Sequence, residues 1–354
     1  MLEPFEAICK SFYASIGWDE ENAYSSLNNA SKHLLHFDTP QGVHLNVSSL
    51  ASLNYASSYR ISLLGPLDGS IAYLYSSKPL LGVRSSANVD LKHVIGGQRG
   101  LHDGPPDQRE WEVWHGGKRA DKKDTLMYGK MFPPKSRLEA LLIRRLSPSN
   151  LLLIRALSEP KSTDRGTLTA QIHQNHGKWA MEYLYSTNES LIGLRGLYNF
   201  GQITSDDRLS AGAEAYYTLA SKVGGISTGL RYSSQSGTPV TMTMQWNPLL
   251  GHICASYSVQ GGGNQAFSTR YDFNMFSYES DLAIACELWR SAWSGPTAPK
   301  VAGVVKARLA KKKIGLLWEG RINNALLVSL GGNIDLGNRS ALVTQLGLDI
   351  QFSS

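Results

Sequence analysis

Long hydrophobic runs are missing from this chain: the longest stop at five residues, Ile71 to Tyr75 and Leu282 to Cys286, whereas a membrane-crossing helix needs about 20. A helical membrane protein is excluded. Cysteine is scarce. Cys9, Cys254 and Cys286 are odd in number and widely spaced, which offers neither a disulfide framework nor a CxxC metal site and fits an intracellular protein. Charge is thin as well, at 18% of 354 residues against about 25% in ordinary soluble proteins. With 35 Lys+Arg against 29 Asp+Glu the formal net charge is +6, and no nucleic-acid partner is expected. The N-terminus carries Glu3 and Glu6 and lacks both a basic start before an apolar core and Arg-rich, acid-poor character, so no cleavable leader is expected and targeting information should lie inside the chain. Strand–helix alternation and a fixed-period repeat are also absent, and the lone Trp18–Asp19 dipeptide gives a WD-repeat propeller no support.

What the sequence does contain is one change of period. Phe5, Ile8, Phe12 and Ile16 recur at helical spacing, and Leu27, Leu34, Leu35 and Phe37 predict a second short helix around Ser31–Lys32–His33. Thr39–Pro40–Gln41–Gly42 breaks that pattern. Residues 1–42 are therefore read as an N-terminal helical segment and residues 43–354 as a separate β region. There the period is two: Val240, Met242, Met244 and Trp246 alternate with Thr241, Thr243, Gln245 and Asn247, and the same holds for 252–259 and 267–274. Strands follow around 167–173, 179–185, 209–217 and 226–232, separated by turn residues such as Gly224–Gly225, Asn247–Pro248 and Gly261–Gly262–Gly263. Segments 137–146, 149–157, 301–310, 313–321, 324–331 and 340–352 read the same way, and about 96–125 reads as a long polar loop.

The fold class is thus all-β. Without the first 44 or so residues, roughly 310 remain, and at roughly 14 to 18 residues per strand and turn they make about 17 to 22 strands, the size of a large membrane barrel. Aromatic residues near strand ends (Tyr183 with Tyr185, Tyr216 with Tyr217, Tyr271 with Phe273, Trp246) fit an interfacial girdle. Pattern alone favours a transmembrane barrel over a soluble β fold and leaves both open.

The final segment, Gln345–Leu346–Gly347–Leu348–Asp349–Ile350–Gln351–Phe352, reads polar, any, glycine, any, any, hydrophobic, any, hydrophobic. It resembles the β-signal of mitochondrial outer-membrane barrels, carried by Gln345, Gly347, Asp349, Ile350 and Phe352. Leu346, Leu348, Ile350 and Phe352 are expected on the lipid face and the polar positions on the lumen face, with Gly347 permitting close backbone approach. The stretches Asn22 to Leu27, Leu35 to Pro40, Ser48–Ser49–Leu50 and Gly69 to Ser76 resemble the fungal mitochondrial distribution and morphology barrel family. That resemblance implies a barrel of porin and import-channel type with about 19 strands in the mitochondrial outer membrane, and an N-terminal segment associated with the lumen. It also implies two roles, anchoring the ER–mitochondria tethering and lipid-transfer complex, and association with the sorting and assembly machinery and with import-translocase components.

Other signals have plainer readings. Gly225–Ile226–Ser227–Thr228–Gly229 matches a nucleophile elbow but falls inside an alternating strand, not at a strand-to-helix turn. The pairs His33/His36 and His173/His176 have spacing for a metal but no neighbouring cysteine, and surface or lumen histidines are the expectation. Gly261–Gly262–Gly263–Asn264 lacks the Lys and Ser/Thr of a phosphate loop. No catalytic, cofactor-binding or metal residue is assigned. Lys311, Lys312 and Lys313 are candidates for contact with anionic lipid or an acidic partner, or are a solvated turn. Tyr73 and Tyr75 share one strand face and are candidates for partner docking, with a lipid girdle as the other reading. Mixed lumen charges, Arg60, Arg195, Arg231 and Arg270 with Glu182, Glu214 and Asp272, argue against a sharply selective channel. The leading reading is a non-enzymatic membrane scaffold. Its alternatives are a porin-like channel for metabolites or polypeptides and a soluble β-rich binding protein.

Overall fold

The structure, a computed structural model, describes residues 4–52, 54–63, 68–78, 114–115, 118–119, 124–133, 136–158, 166–201, 207–235, 237–262, 264–292, 300–311, 313–323, 326–336 and 345–353. Nineteen strands form one closed sheet. They are β1 Gly42–Ser52, β2 Tyr55–Ser62, β3 Gly69–Ser76, β4 Thr125–Phe132, β5 Arg137–Ser147, β6 Asn150–Ser158, β7 Thr167–Asn175, β8 Trp179–Ser186, β9 Leu191–Phe200 and β10 Asp207–Thr218. The circuit continues with β11 Val223–Ser234, β12 Val240–Asn247, β13 His252–Gly261, β14 Gln265–Asn274, β15 Ser280–Ala292, β16 Lys300–Ala310, β17 Lys313–Asn323, β18 Leu326–Asp335 and β19 Gln345–Ser353. Each strand pairs antiparallel with its successor, for example Leu191↔Thr218 through Phe200↔Leu209 between β9 and β10. An odd number of such strands leaves the first and last pointing the same way. Closure is accordingly parallel, from Gly42↔Gly347 to Ser48↔Ser353.

Period-two alternation makes the wall two-faced. Outward positions hold Leu168, Ile172, Tyr183, Leu230, Met242, Met244, Tyr257 and Leu330, all exposed. Inward positions hold small hydroxyls that bond across strands, as in Ser258 with Ser268 at 2.8 Å and Ser210 donating to Asn199 at 2.7 Å. The predicted outward faces of 167–173, 179–185, 226–232, 240–247 and 267–273 are all found outside. β1 begins one residue before the boundary drawn at Val43. Most of the loop expected at 96–125 falls outside the described residues; of its described residues, Trp114–His115 pairs with Lys118–Arg119, and Thr125 already opens β4.

Two helices precede the barrel, α1 Pro4–Ile16 and α2 Asn29–Leu35, with a single 3₁₀ turn at Tyr24–Ser26 between them. Cys9, Phe12, Tyr13 and Ile16 form the buried stripe of α1, the i, i+3, i+4, i+7 set of one helix face. α1 stops in a Schellman turn: Gly17 takes φ 65°, Trp18 N–H reaches Tyr13 O at 2.9 Å and Gly17 N–H reaches Ala14 O at 3.4 Å. The Arg145 guanidinium donates to the buried C-terminal carbonyl of Ile16, a cation at the negative helix end.

The lumen is not uniformly polar, as the alternation alone implied. Leu74, Leu126, Leu141, Ile143, Leu151 and Leu153 of β3–β6 point inward and pack with Phe12, Tyr13, Ile16 and Trp18 in one buried cluster. This sector shelters the apolar face of α1.

Candidate functional site

On the outer wall, Tyr73 and Tyr75 lie two apart on β3 and are both 46% exposed. Tyr73 stacks on Tyr55 at 6.2 Å and meets Tyr59 edge-on at 6.4 Å. The register from Tyr73 runs through Gly129, Ala140 and Ala156 on the next three strands. A Cβ added at Gly129 would meet nothing within 4 Å. This row of small residues, beside the row of Tyr75 and Met127, lines an apolar groove of about 450 Å³. In lipid, small residues let a neighbouring protein backbone approach closely. The sequence located the tyrosines but not the small residues that turn them into one wall of a groove.

On the inner wall, residues 9–41 run round the lumen in broadly the order of the strands. After α1 on β3–β6, Asn22 donates to Asn175 of β7 at 2.6 Å and accepts from Asn199 of β9 at 2.8 Å and Arg208 of β10 at 3.1 Å. Ser25 donates to Glu182 of β8 at 2.6 Å, where His173 lies 3.3 Å and Arg195 3.7 Å from the carboxylate. The Tyr24 hydroxyl sits 3.0 Å from Ser227, which donates to Glu214 at 2.5 Å, and Arg195 holds the same Glu214 at 2.9 Å. Burial pushes the Tyr24 phenol up, against the Ser227 hydrogen bond. Gly212 and Gly229 leave the room: a Cβ on either would come 2.7 Å from the Tyr24 ring and 2.8 Å from Leu27 respectively. Asn28 then bonds Gln245 and Thr243 of β12 at 2.6 and 2.7 Å, and Ala30, Leu34 and Leu35 of α2 pack on Ala266 and Ala285 of β14 and β15.

The belt ends at the closing seam. Arg308 donates to Leu35 O at 3.1 Å and lies 5.2 Å over the Phe37 ring. Asn333 donates to Thr39 at 2.6 Å. Pro40 rests on Gly331 of β18 and Gly347 of β19, where a Cβ on Gly347 would run into the Pro40 carbonyl. Gly347 does serve close backbone approach, and the approaching backbone is the chain's own N-terminal strap.

The remaining terminal-strand residues lie on both faces of β19. Gln345 accepts from Asn333 at 3.3 Å, Asp349 is 1% exposed and 3.4 Å from Arg60, Ile350 pairs Leu45 and Val328, and Phe352 is exposed on the outside. Lys311 donates to Ser280 O at 3.0 Å, Lys313 opens β17 exposed, and Lys312 lies outside the described residues. The histidine pairs do not converge. His173 faces Glu182 while His176 stacks on Trp179 at 4.3 Å, and His36 lies 3.3 Å from Arg270. Partial burial, then Arg270, Arg308 and Lys32, hold His36 below the usual imidazole range, with Asp272 opposing. Gly225 to Gly229 lies within β11, and Ser227 is taken up by Tyr24 and Glu214. The inward leucines of β3–β6 had a signal that alternation counting passed over: Leu141–Leu142–Ile143 and Leu151–Leu152–Leu153–Ile154 are continuous apolar runs, which mark a strand covered on both faces.

Comparison with known proteins bears on this geometry. The family model described as Mitochondrial distribution and morphology protein 10 matches residues 1–300 and 293–354. A protein of that name from Phaeosphaeria nodorum is 42% identical over 393 aligned positions, covering 100% of both chains. One from Yarrowia lipolytica is 39% identical over 361, again covering 100% of both. One from Podospora anserina is 34% identical over 450, with the same coverage. The longer alignments place insertions in those relatives relative to these 354 residues.

Proposed function

The chain belongs to the mitochondrial distribution and morphology protein 10 family, and from that membership and the closed barrel we propose that it is a non-catalytic scaffold of the mitochondrial outer membrane. Its wall anchors the complex that tethers mitochondria to the endoplasmic reticulum and transfers lipid between them. It also serves the sorting and assembly machinery in the biogenesis of barrel proteins and of the import translocase. The observation that carries this reading is the pairing of a continuous apolar outer wall with one built groove, walled by Tyr73 and Tyr75 and floored by Gly129 and Ala140. A barrel needs the first to sit in lipid, since every backbone group is paired and no edge is open. A docking site for a membrane partner needs the second. The competing reading is a conducting pore. Against it stands the belt, which lays residues 9–41 along the lumen wall.

The test is native electrophoresis of solubilised outer membranes carrying Tyr73→Ala with Tyr75→Ala. Losing two interfacial rings at a docking site weakens the contact by about 2 to 4 kcal/mol, about thirtyfold or more, and leaves the barrel standing. One partner complex should then fall away while the other and the inserted barrel persist. Wild-type amounts of both complexes would make the tyrosines a lipid girdle and remove the docking claim. Extraction of the wild-type protein by carbonate would remove the membrane reading itself.

A further inference from the structure

The two rims of the barrel differ in chemistry. At the rim where β19 ends, the described turns carry polar or small residues such as Asn54, Ser149, His176, Gly177, Gln235, Thr238 and Asn264, with Pro148 and Pro239 among them. At the rim where the N-terminal segment passes into β1, neighbouring turns carry Leu219, Leu249, Leu250, Met275, Phe276 and Tyr278, between 46% and 81% exposed. Two of these turns are fused. Met275 N–H donates to Gly251 O at 2.7 Å, the Asn274 side chain accepts from Phe276 and Ser277 N–H at 2.9 and 3.1 Å, and a Cβ on Gly251 (φ 63°) would fall 2.8 Å from the Phe276 ring. The tip is built and held, with Leu249, Leu250, Phe276 and Tyr278 exposed on it.

One of the four strands beneath it is short, while β13 and β14 have 10 residues each and β15 has 13. β12 has 8 residues, which at about 3.4 Å each and a tilt of about 40° rise roughly 21 Å, short of an apolar band about 25 Å tall. Trp246 and Tyr271, both 45% exposed, lie on the outward face near this end of β12 and β14, so the tip continues the lipid-facing surface directly past its aromatic girdle. Charges on this rim are mixed, with exposed Lys311 and Lys313 beside exposed Glu279 and Asp281, and supply no directed attraction of one sign.

We propose that the fused tip formed by turns 248–251 and 275–279 is a lipid-contact site, seated in the headgroup–acyl boundary of the leaflet next to the N-terminal rim. It completes the apolar height of the wall where β12 is short, and fixes the depth and tilt of this sector in the bilayer. The proposal rests on the reading that the barrel spans a membrane.

The test is nitroxide scanning of the full chain, with Cys9, Cys254 and Cys286 changed to Ser, refolded into palmitoyl-oleoyl phosphatidylcholine vesicles. Labels go at Leu250→Cys, Phe276→Cys and Tyr278→Cys, with Leu230→Cys on the mid-wall and Thr238→Cys at the opposite rim as references, and heat-modifiable mobility selects folded protein. Oxygen accessibility relative to a water-soluble nickel chelate should be several-fold higher at 250 and 276 than at 238, approaching 230. Labels at 250, 276 and 278 as water-accessible as 238 overturn the proposal. So does a tip that is wet in vesicles and shielded only in native membranes, which would assign it to a protein partner. A water-accessible label at 230 would instead overturn the membrane reading.

Discussion

Replacing Gly347 by Ala adds one methyl group at the point where the first and last segments of the chain meet. Gly347 lies between Gly42 of β1 and Gly331 of β18 in the sheet register, and the added carbon would sit 2.8 Å from Gln41 N and closer still to the Pro40 carbonyl. Both obstacles are backbone, one in a proline, so neither can rotate away. The strap must lift, at an overpacking cost of about 1 to 3 kcal/mol. Lifting it also opens the 2.6 Å bond from Asn333 to Thr39, worth about 0.5 to 1.5 kcal/mol. Together these give roughly 2 to 4 kcal/mol, or about thirtyfold to several-hundredfold in the equilibrium between seated and released strap. Hydrogen exchange across 36–41 in detergent-refolded protein reads this equilibrium, and chemical unfolding followed by tryptophan fluorescence reads its effect on the barrel. A double-mutant cycle identifies the cause. In a chain lacking residues 1–41 both obstacles are gone, and Gly347→Ala should cost little. If that deletion prevents closure, Pro40→Gly is the milder partner. An alanine penalty of equal size with and without the strap would refute the reasoning and return Gly347 to strand pairing alone.

Phe12→Ala removes a fully buried ring from the contact with β3–β6 and should cost about 3 to 5 kcal/mol of α1 docking; unchanged protease resistance of residues 4–18 would show that α1 is held some other way. His36 binds its proton less readily in the seated segment than when released, so the released state holds more protons below the ordinary histidine pKa of about 6.5, and seating should be full above that pH and weaken as pH falls through the depressed value. Hydrogen exchange at α2 between pH 7.5 and 5.5 checks this, and His36→Gln should flatten the response. Phe352→Lys puts a cation on the lipid-facing side of the terminal strand and should leave import intact while blocking membrane integration; integration at a normal rate would discount the β-signal reading.

The strands were legible wherever one face met lipid and the other water. Met242 and Met244 outside and Thr241 and Thr243 between them give an unambiguous period of two, and the structure places β12 accordingly. Strands were read at 137–146 and 149–157, where β5 and β6 lie, but not which of their faces points inward, because Leu141, Ile143, Leu151 and Leu153 face a helix and a wall apolar on both sides carries no period. α2 was legible from the spacing of Leu27, Leu34, Leu35 and Phe37. The wall beneath α2 was not, because Ala266 and Ala285 are small, and small residues look neutral in a hydropathy pattern. Tyr73 and Tyr75 were visible as a pair, but the groove depends on Gly129 and Ala140, more than fifty residues away in sequence and adjacent only through strand register. The role of Gly347 was half visible: its place in the terminal motif was readable, while its contact with Pro40 links opposite ends of the chain.

Parity explains why those two ends meet. An even-stranded barrel closes on an antiparallel pair like all its others, whereas nineteen strands close on a parallel one, with slanted hydrogen bonds and slightly weaker pairing per residue. The seam is therefore where the wall is most readily opened, and the other contacts concentrated there act from inside. Arg60 of β2 reaches across β1 to Asp349 of β19 at 3.4 Å, and Thr39 and Pro40 bind β18 and β19 just before Gly42 turns at φ 75° into β1. Pro40 seats on Gly331 of β18 and Gly347 of β19, so this seat does not exist until the last hairpin is in place. The belt behind it is tied to β3–β16 in turn. Each contact made along that path shortens the free chain left to bring Pro40 to the seam, which lowers the loop-closure cost of the final one. The N-terminal segment thus contributes to closure in proportion to how much of it is already docked, and loosening Phe12 at one end of the belt should weaken the strap at the other.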